Sequence, residues 1–326
     1  MKIIKASYDI LDQQPGFGGV LKQIEIVART CYKSDDKITE DSARGFVERM
    51  KKSGHSSTLE HGTIYLSIPV DINHLEESHA ARYISNHYSK VGQIVQNTKK
   101  GCHAVAYITT NYRVIHENHW EDDLEFLCEP TDYHEKRVTV RFTCDRVTGE
   151  SFLRHREIDE DHPTIEGEVT RENERDIDSF ARESTRYCNY SKEKFGKELT
   201  IIVPPEFPEN TVETALDTWD CSAGAFREMC AVIATDQDDD EFGIIDTWLF
   251  GNLATEWAYF RLLKLGQKPE QARRVLPLDI KSPLVMTAFI SDWKHYFDLR
   301  CDCHAHSQAR ELAIPLHEEF IERGFL

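Results

Sequence analysis

The sequence predicts an α+β fold: a mixed sheet with flanking helices and a mainly helical C-terminal third. Three observations predict it. Runs with strand-like alternation, such as "EKRVTVRFTCD", gather in the first two-thirds of the 326 residues. Runs with apolar residues at helical spacing crowd the last third, and no internal repeat is visible. Taken in order, "MKIIKASYDIL" reads as a first strand and "GVLKQIEIVARTCY" as a helix. "ITEDSARGFVERMKKSG" reads as a second helix, ending at Gly54 as helices often do. "HSSTLEHGTIYLSIPV" is a loop running into a strand that begins near Gly62. Residues 72–90 have helical spacing, "AVAYITTNYRVI" looks strand-like, and "EKRVTVRFTCD" is a strand. Arg146 to Arg156 reads as a short helix, and Leu199–Val203 as a strand before the double proline at 204–205. In "WLFGNLATEWAYFRLLKLGQ", Leu253, Trp257, Phe260 and Leu263 fall along one helical face. "KPEQARRVLP" is a short helix stopped by Pro277, and "SPLVMTAFI" is a strand. "SDWKHYFDLR" and "AHSQARELAIPLHEEFIERG" complete the chain as helices.

Composition narrows the function. The formal net charge is −18, which disfavours duplex DNA or an anionic bilayer as partner, because phosphate contacts need a basic face. No apolar run approaches membrane-spanning length, and the N-terminus lacks a secretory pattern. The nine cysteines are odd in number and mostly in apolar surroundings, which reads as reduced thiols of a cytoplasmic protein. Glu157 to Asp178 carries ten acids against two arginines and has no convincing period, so it is expected to be a solvated surface insertion.

Against that acidity, Arg154-His155-Arg156 stands out. Arg offers a rigid, permanently charged fork suited to phosphates, carboxylates and heterocycle edges. Two readings stand: an anion trap, or a cationic cap on a helix C-terminus. Cys301, Cys303, His304 and His306 in "LRCDCHAHSQ" are of the ligand types zinc takes, but the spacing departs from the C-x-x-C knuckle. No metal is therefore expected. Cys144 and Cys188 sit near polar residues outside any thiol-enzyme signature, and inert buried cysteines are the default. There is no GxGxxG and no GxxxxGK[ST]. "HSSTLEH" places His55, Glu60 and His61 just before a strand, where side chains often line a cleft.

Together these pieces resemble the flavin-dependent thymidylate synthases. Arg154-His155-Arg156 followed by "SFARESTRY", with Ser179, Ser184, Arg186 and Tyr187, matches the family's signature. Three further blocks occur in the family's order. They are "HSSTLEHGTIYLSI", with Glu60, His61 and Thr63; "KPEQARRVLP", with Arg273; and "DWKHYFDLRCDCHAHSQARELA", with Leu299, Arg300, His304 and Ala305. The resemblance spans nearly the whole chain and implies one domain over 1–326, of a longer subtype with residues 157–178 inserted inside the signature.

It further implies a homotetramer using FAD, with NADPH and methylenetetrahydrofolate as co-substrates, that methylates dUMP to dTMP. The dUMP contacts it implies are Arg154, Glu183, Ser184, Arg186, Arg273 and Arg300, with Arg300 as the catalytic group polarising the uracil ring. The FAD contacts it implies are His61, Thr63, Arg154, His155, Arg156, His295 and His304. Arg300 and His304, four apart, are expected to share one helical face. The chain departs from the family at Ser151, where a long polar residue is common, and at Phe289-Ile290-Ser291, where Asn-x-Arg is usual. Two readings compete with an active enzyme: a nucleotide- or flavin-binding relative disabled by the insertion, and a zinc protein built on Cys301–His306.

Overall fold

The structure, a computed structural model, describes residues 1–96, 103–153, 157–158, 174–175, 179–208, 230–231 and 243–326. Arg154, His155 and Arg156 lie outside the described residues, as does the acidic insertion apart from its two short strands.

In chain order the strands are β1 (Lys2–Ile4), β2 (Ser7–Ile10), β3 (Thr63–Asp71), β4 (Lys90–Gln96), β5 (His103–Asn111) and β6 (Arg137–Thr143). They continue with β7 (Glu157–Ile158), β8 (Glu174–Arg175), β9 (Ser179–Arg182), β10 (Thr200–Ile202) and β11 (Leu284–Phe289). The helices are α1 (Gly16–Tyr32), α2 (Ser42–Lys52), α3 (Ala81–Ile84), α4 (Tyr112–Glu117), α5 (Arg146–Phe152) and α6 (Ile244–Lys264). Three more follow: α7 (Pro269–Ala272), α8 (Ile290–Arg300) and α9 (Ser307–Glu322).

Two antiparallel sheets carry the fold. One has the order β3-β5-β4 and the other β2-β6-β11-β9; β1 pairs in parallel with β10, and β7 antiparallel with β8. The mixed α/β architecture agrees with the sequence expectation. Strand β11 is buried along all six residues, because it lies between β6 and β9 within its sheet and carries helices on its faces. That double burial is why "LVMTAF" is nearly continuous in apolar residues rather than alternating.

One core cluster packs α1 against β3 and β5 through residues including Ile24, Leu59, Ile64, Leu66 and Ile108. Another packs β6 and β11 against α8 and α9 through Phe142, Phe152, Trp293, Tyr296 and Phe320. Each such side chain, fully buried, stabilises the fold by roughly 1.5–3 kcal/mol. Gly62 permits the close approach of α1 to the start of β3. A Cβ there would stand 2.7 Å from Ile24 and 2.8 Å from Val20.

Several elements differ from expectation for local reasons. The first strand is two strands in different sheets, divided at Lys5-Ala6. Residues 72–90 hold only a 3-10 turn (Ile72–Glu77) and α3 before β4 begins. "AVAYITTNYRVI" stops being a strand at Asn111, whose side chain accepts the Val114 N–H at 3.1 Å and starts α4. The inward face of α6 carries Leu249, Asn252 and Tyr259 rather than Trp257, which is 65% exposed. This helix is apolar nearly all round, so its periodicity alone does not select a face.

Candidate functional site

An enclosed polar seam lies where the two main sheets meet. His61 ends a 3-10 turn (Ser56–His61) immediately before β3 and is fully buried. Its Nδ1 is 2.7 Å from Thr287 Oγ1 at the middle of β11, and Thr287 Oγ1 is 2.9 Å from Thr139 Oγ1 on β6. Arg137, at the start of β6, threads the same seam. Its guanidinium donates to the Glu60 carbonyl at 2.9 Å, to Ser179 Oγ at 3.0 Å and to the Thr287 carbonyl at 3.4 Å. Burial, then the Arg137 charge, lowers the His61 pKa to about 3, with the Phe180 backbone partly opposing the shift. The imidazole is therefore neutral at physiological pH. The resemblance places this ring at the flavin; here it is enclosed, with Nδ1 on Thr287.

Thr63, two residues on, borders a cavity of about 200 Å³ shared with Gln13, Tyr65, Cys128, Lys136 and Arg137. Its backbone is engaged: the N–H donates to Gln13 Oε1 at 2.9 Å, and the carbonyl accepts from Gln13 Nε2 at 2.8 Å. What Thr63 offers the cavity is its side chain.

A second region is the loop leaving β9. The Glu183 N–H donates to the Pro283 carbonyl at 3.0 Å, and the buried Glu183 carboxylate accepts the Tyr190 hydroxyl at 2.7 Å. Glu183 thus shapes the loop from inside, whereas the resemblance places it on the nucleotide. The Ser184 N–H donates to the Cys31 carbonyl, and the Ser184 carbonyl accepts from the Tyr187 and Cys188 N–H groups, so the turn is pinned to α1. Arg273, directly after α7, donates to Thr185 Oγ1 at 3.3 Å. Arg186 is exposed and lies over the exposed Tyr187 ring at 5.4 Å. Tyr187 in turn is 6.0 Å from Tyr32, which stacks with His55 at 6.2 Å and 21°. This shelf of rings was missed for Tyr32, which lies in an ordinary amphipathic helix and carries no local motif.

The third region is the end of α5. Asp145 caps that helix, accepting the Thr148 N–H at 2.9 Å. Arg182 on β9 donates to Glu150 at 2.7 Å, and Arg300, the last residue of α8, donates to the Ser151 carbonyl at 2.5 Å. Ser151 lies three residues before Arg154. The contacts therefore run continuously from Arg300 through α5 to β9, and on through Thr185 to Arg273.

His295 is half-buried on α8, and His304 is 91% exposed. Arg300 and His304 do not share a helical face, contrary to expectation. The helix stops at Arg300, and the Asp302 side chain accepts the His304 N–H at 2.7 Å, a turn that competes with further helix. Burial pushes the Cys144 thiol well up and the Cys188 thiol to about 12, so both are protonated core cysteines.

The comparisons with known proteins bear on this arrangement. A solved structure, the UMP/dUMP methylase PolB of Streptomyces cacaoi bound with 5-Br dUMP, is 15% identical. That match covers 99% of this chain and 93% of the other, with a TM-score of 0.36. The flavin-dependent thymidylate synthase of Synechocystis sp. is 34% identical over 64 residues, 20% of this chain. The chain spans only 30% of that relative's length. The profile of the thymidylate synthase complementing protein family matches residues 18–100 and 134–323, and so takes in His61, Thr63, the loop leaving β9 and the end of α5. With most of its length matched, the chain belongs to the thymidylate synthase complementing protein family.

Proposed function

We propose that this chain is a flavin-dependent thymidylate synthase. It would convert dUMP, methylenetetrahydrofolate and NADPH with a proton to dTMP, tetrahydrofolate and NADP⁺. Family membership supports the reading, and one structural observation carries it. In a protein of net charge −18, Arg300 and Arg273 are drawn from separate segments onto the end of α5 and the Ser184 loop, with Arg182, paired to Glu150, between them. Such a gathering suits a nucleotide monophosphate.

The residues present fit a flavin. Thr63 borders a cavity lined by Lys136 and Arg137 and also by Asp12 and Glu129, a mixed set of donors and acceptors that could meet the polar edge of a ring. His295 and His304 are assigned to the same cofactor, with Arg154, His155 and Arg156 beside them. When bound and reduced by NADPH, FAD supplies the hydride that completes the methyl group.

The chain's own residues then have separable roles. Ser184, Arg186 and Arg273 bind dUMP, and Arg154 joins them. Arg300 acts on the uracil ring: a fixed guanidinium stabilises negative charge developing there and makes carbon 5 nucleophilic. Its hydrogen bond to the Ser151 carbonyl holds that guanidinium in place before substrate arrives. Glu183 keeps the Ser184 loop in shape through Tyr190.

A homotetramer is part of the proposal. Among the described residues no helix is long and apolar enough to cross a membrane.

The test is direct. Purified protein should be yellow and release tritium from dUMP labelled at carbon 5 only when NADPH and methylenetetrahydrofolate are both present. Flavin-containing protein that binds dUMP without release would indicate a non-enzymatic relative. Colourless protein with no release would refute the proposal.

A further inference from the structure

Residues 301–306 join α8 to α9, and the turn they form brings together three side chains of different ligand chemistry. Asp302, Cys303 and His304 are all exposed, and one donor atom from each lies within 4.8 Å of the other two. Cys303 Sγ is 3.4 Å from His304 Nδ1, which is 2.9 Å from Asp302 Oδ1. In a tetrahedral site with zinc–sulfur bonds of about 2.3 Å and zinc–nitrogen bonds of about 2.0–2.1 Å, thiolate and imidazole stand roughly 3.5 Å apart. The thiol–imidazole spacing already matches. The imidazole–carboxylate pair needs to open by about half an ångström, exchanging its hydrogen bond for two metal bonds.

The donor set selects the ion. Sulfur, nitrogen and one carboxylate oxygen suit zinc and its neighbours rather than magnesium or calcium, which take all-oxygen shells. The Asp302 carboxylate already lies against His304, accepting its backbone N–H at 2.7 Å. A second grouping, His79 with Asp122 and Asp123, is different, because the Arg82 guanidinium already sits on Asp123.

We propose that Asp302, Cys303 and His304 bind one divalent ion of the zinc class on the turn that follows Arg300. Three protein ligands and an exposed position leave the fourth site to water, so the ion is exchangeable. As the sulfur–metal bond forms, the Cys303 thiol releases its proton to solvent and no oxidation state changes. The site lies on this turn alone; its His304 is also a proposed FAD contact, and the cobalt titration reads metal binding separately from turnover.

The test uses the full-length, tag-free, reduced protein titrated with cobalt(II), with difference spectra taken against the same sample before addition. One equivalent should produce a thiolate-to-cobalt charge-transfer band that zinc then displaces. Cys303→Ser should abolish the band and weaken zinc binding at least about tenfold, the lower end of what loss of even an outer-shell partner costs. His304→Ala should weaken binding likewise, while Cys301→Ser retains the band. Absence of the band in the unaltered protein overturns the proposal, and so does a band of equal strength in Cys303→Ser.

Discussion

The seam around His61 and the loop around Ser184 are both polar, and they differ in what their hydrogen bonds are for. In the seam, His61, Thr287, Thr139, Arg137 and Ser179 are all buried, and they bond to one another between the turn before β3 and the β6-β11-β9 sheet. Around Ser184 the backbone is equally well anchored, yet Arg186 and Tyr187 stand exposed and Arg273 only half-buried. Burial turns a polar group into a structural fixture, because leaving it unpaired inside the protein costs about 1–3 kcal/mol. An anchored loop with exposed side chains keeps its geometry and still has surface to give a ligand. Polar residues of the first kind should therefore report on stability when altered, and those of the second on turnover.

The largest effect should come from Arg300→Ala. On the proposed function it lowers the rate of dTMP formation roughly 100- to 1,000-fold, as loss of one preorganised electrostatic donor does. Flavin content should be largely retained; tritium release and the visible spectrum measure the two outcomes. Unchanged turnover would remove Arg300 from its role.

On the same proposal Arg273→Ala comes next, since it removes a charged hydrogen bond from the Ser184 loop. The KM for dUMP should rise roughly 10- to 100-fold with less change in kcat, read from steady-state kinetics.

His61→Leu should move stability instead, by roughly 1–3 kcal/mol in urea unfolding. Its pH signature has a definite sign. The folded-state pKa of about 3 lies below the ordinary 6.5, so the unfolded chain binds more protons between those values. The contribution of a neutral His61 is present above pH 6.5 and is lost as the pH falls toward 3. The variant should flatten that slope, and an unchanged slope would mean that the ring is not enclosed.

A smaller effect of opposite sign is expected at Glu311 on α9. Burial, then Asp145 and Glu206, push its pKa up from 4.5 to about 7. A protonated Glu311 favours the fold below pH 4.5, and that contribution is lost as the pH rises through 7. Glu311→Gln should therefore gain stability relative to the parent as the pH is raised, measured as the difference in Tm between acid and alkaline buffer.

The comparison also explains what the sequence made legible. Strands β6 and β11 and helices α1, α8 and α9 were readable because burial on one or both faces imposes a pattern on their residues. Strands β4 and β9 were not, since their pairing is decided by partners far along the chain, such as Thr287 opposite Ser179. The positions of Arg273, Arg300 and Ser184 in ordered blocks carried the site by resemblance. No local pattern announced that Glu183 faces inward, that Tyr32 joins a shelf of rings, or that Arg137 ties two sheets together. Those depend on contacts between residues far apart in sequence.

The two-residue ladder of β7 and β8 bears on how much added length this chain tolerates. Glu157 pairs with Arg175 and Ile158 with Glu174, so the backbone leaves and re-enters at neighbouring points. Whatever length runs between them, the residues before Glu157 and those after Arg175 start from one doorway. Closing a longer flexible loop costs only about 0.6 kcal/mol for each doubling of its length. An added stretch between the two strands therefore leaves Glu157 opposite Arg175 and Ile158 opposite Glu174, and its length weighs little on the residues that flank it.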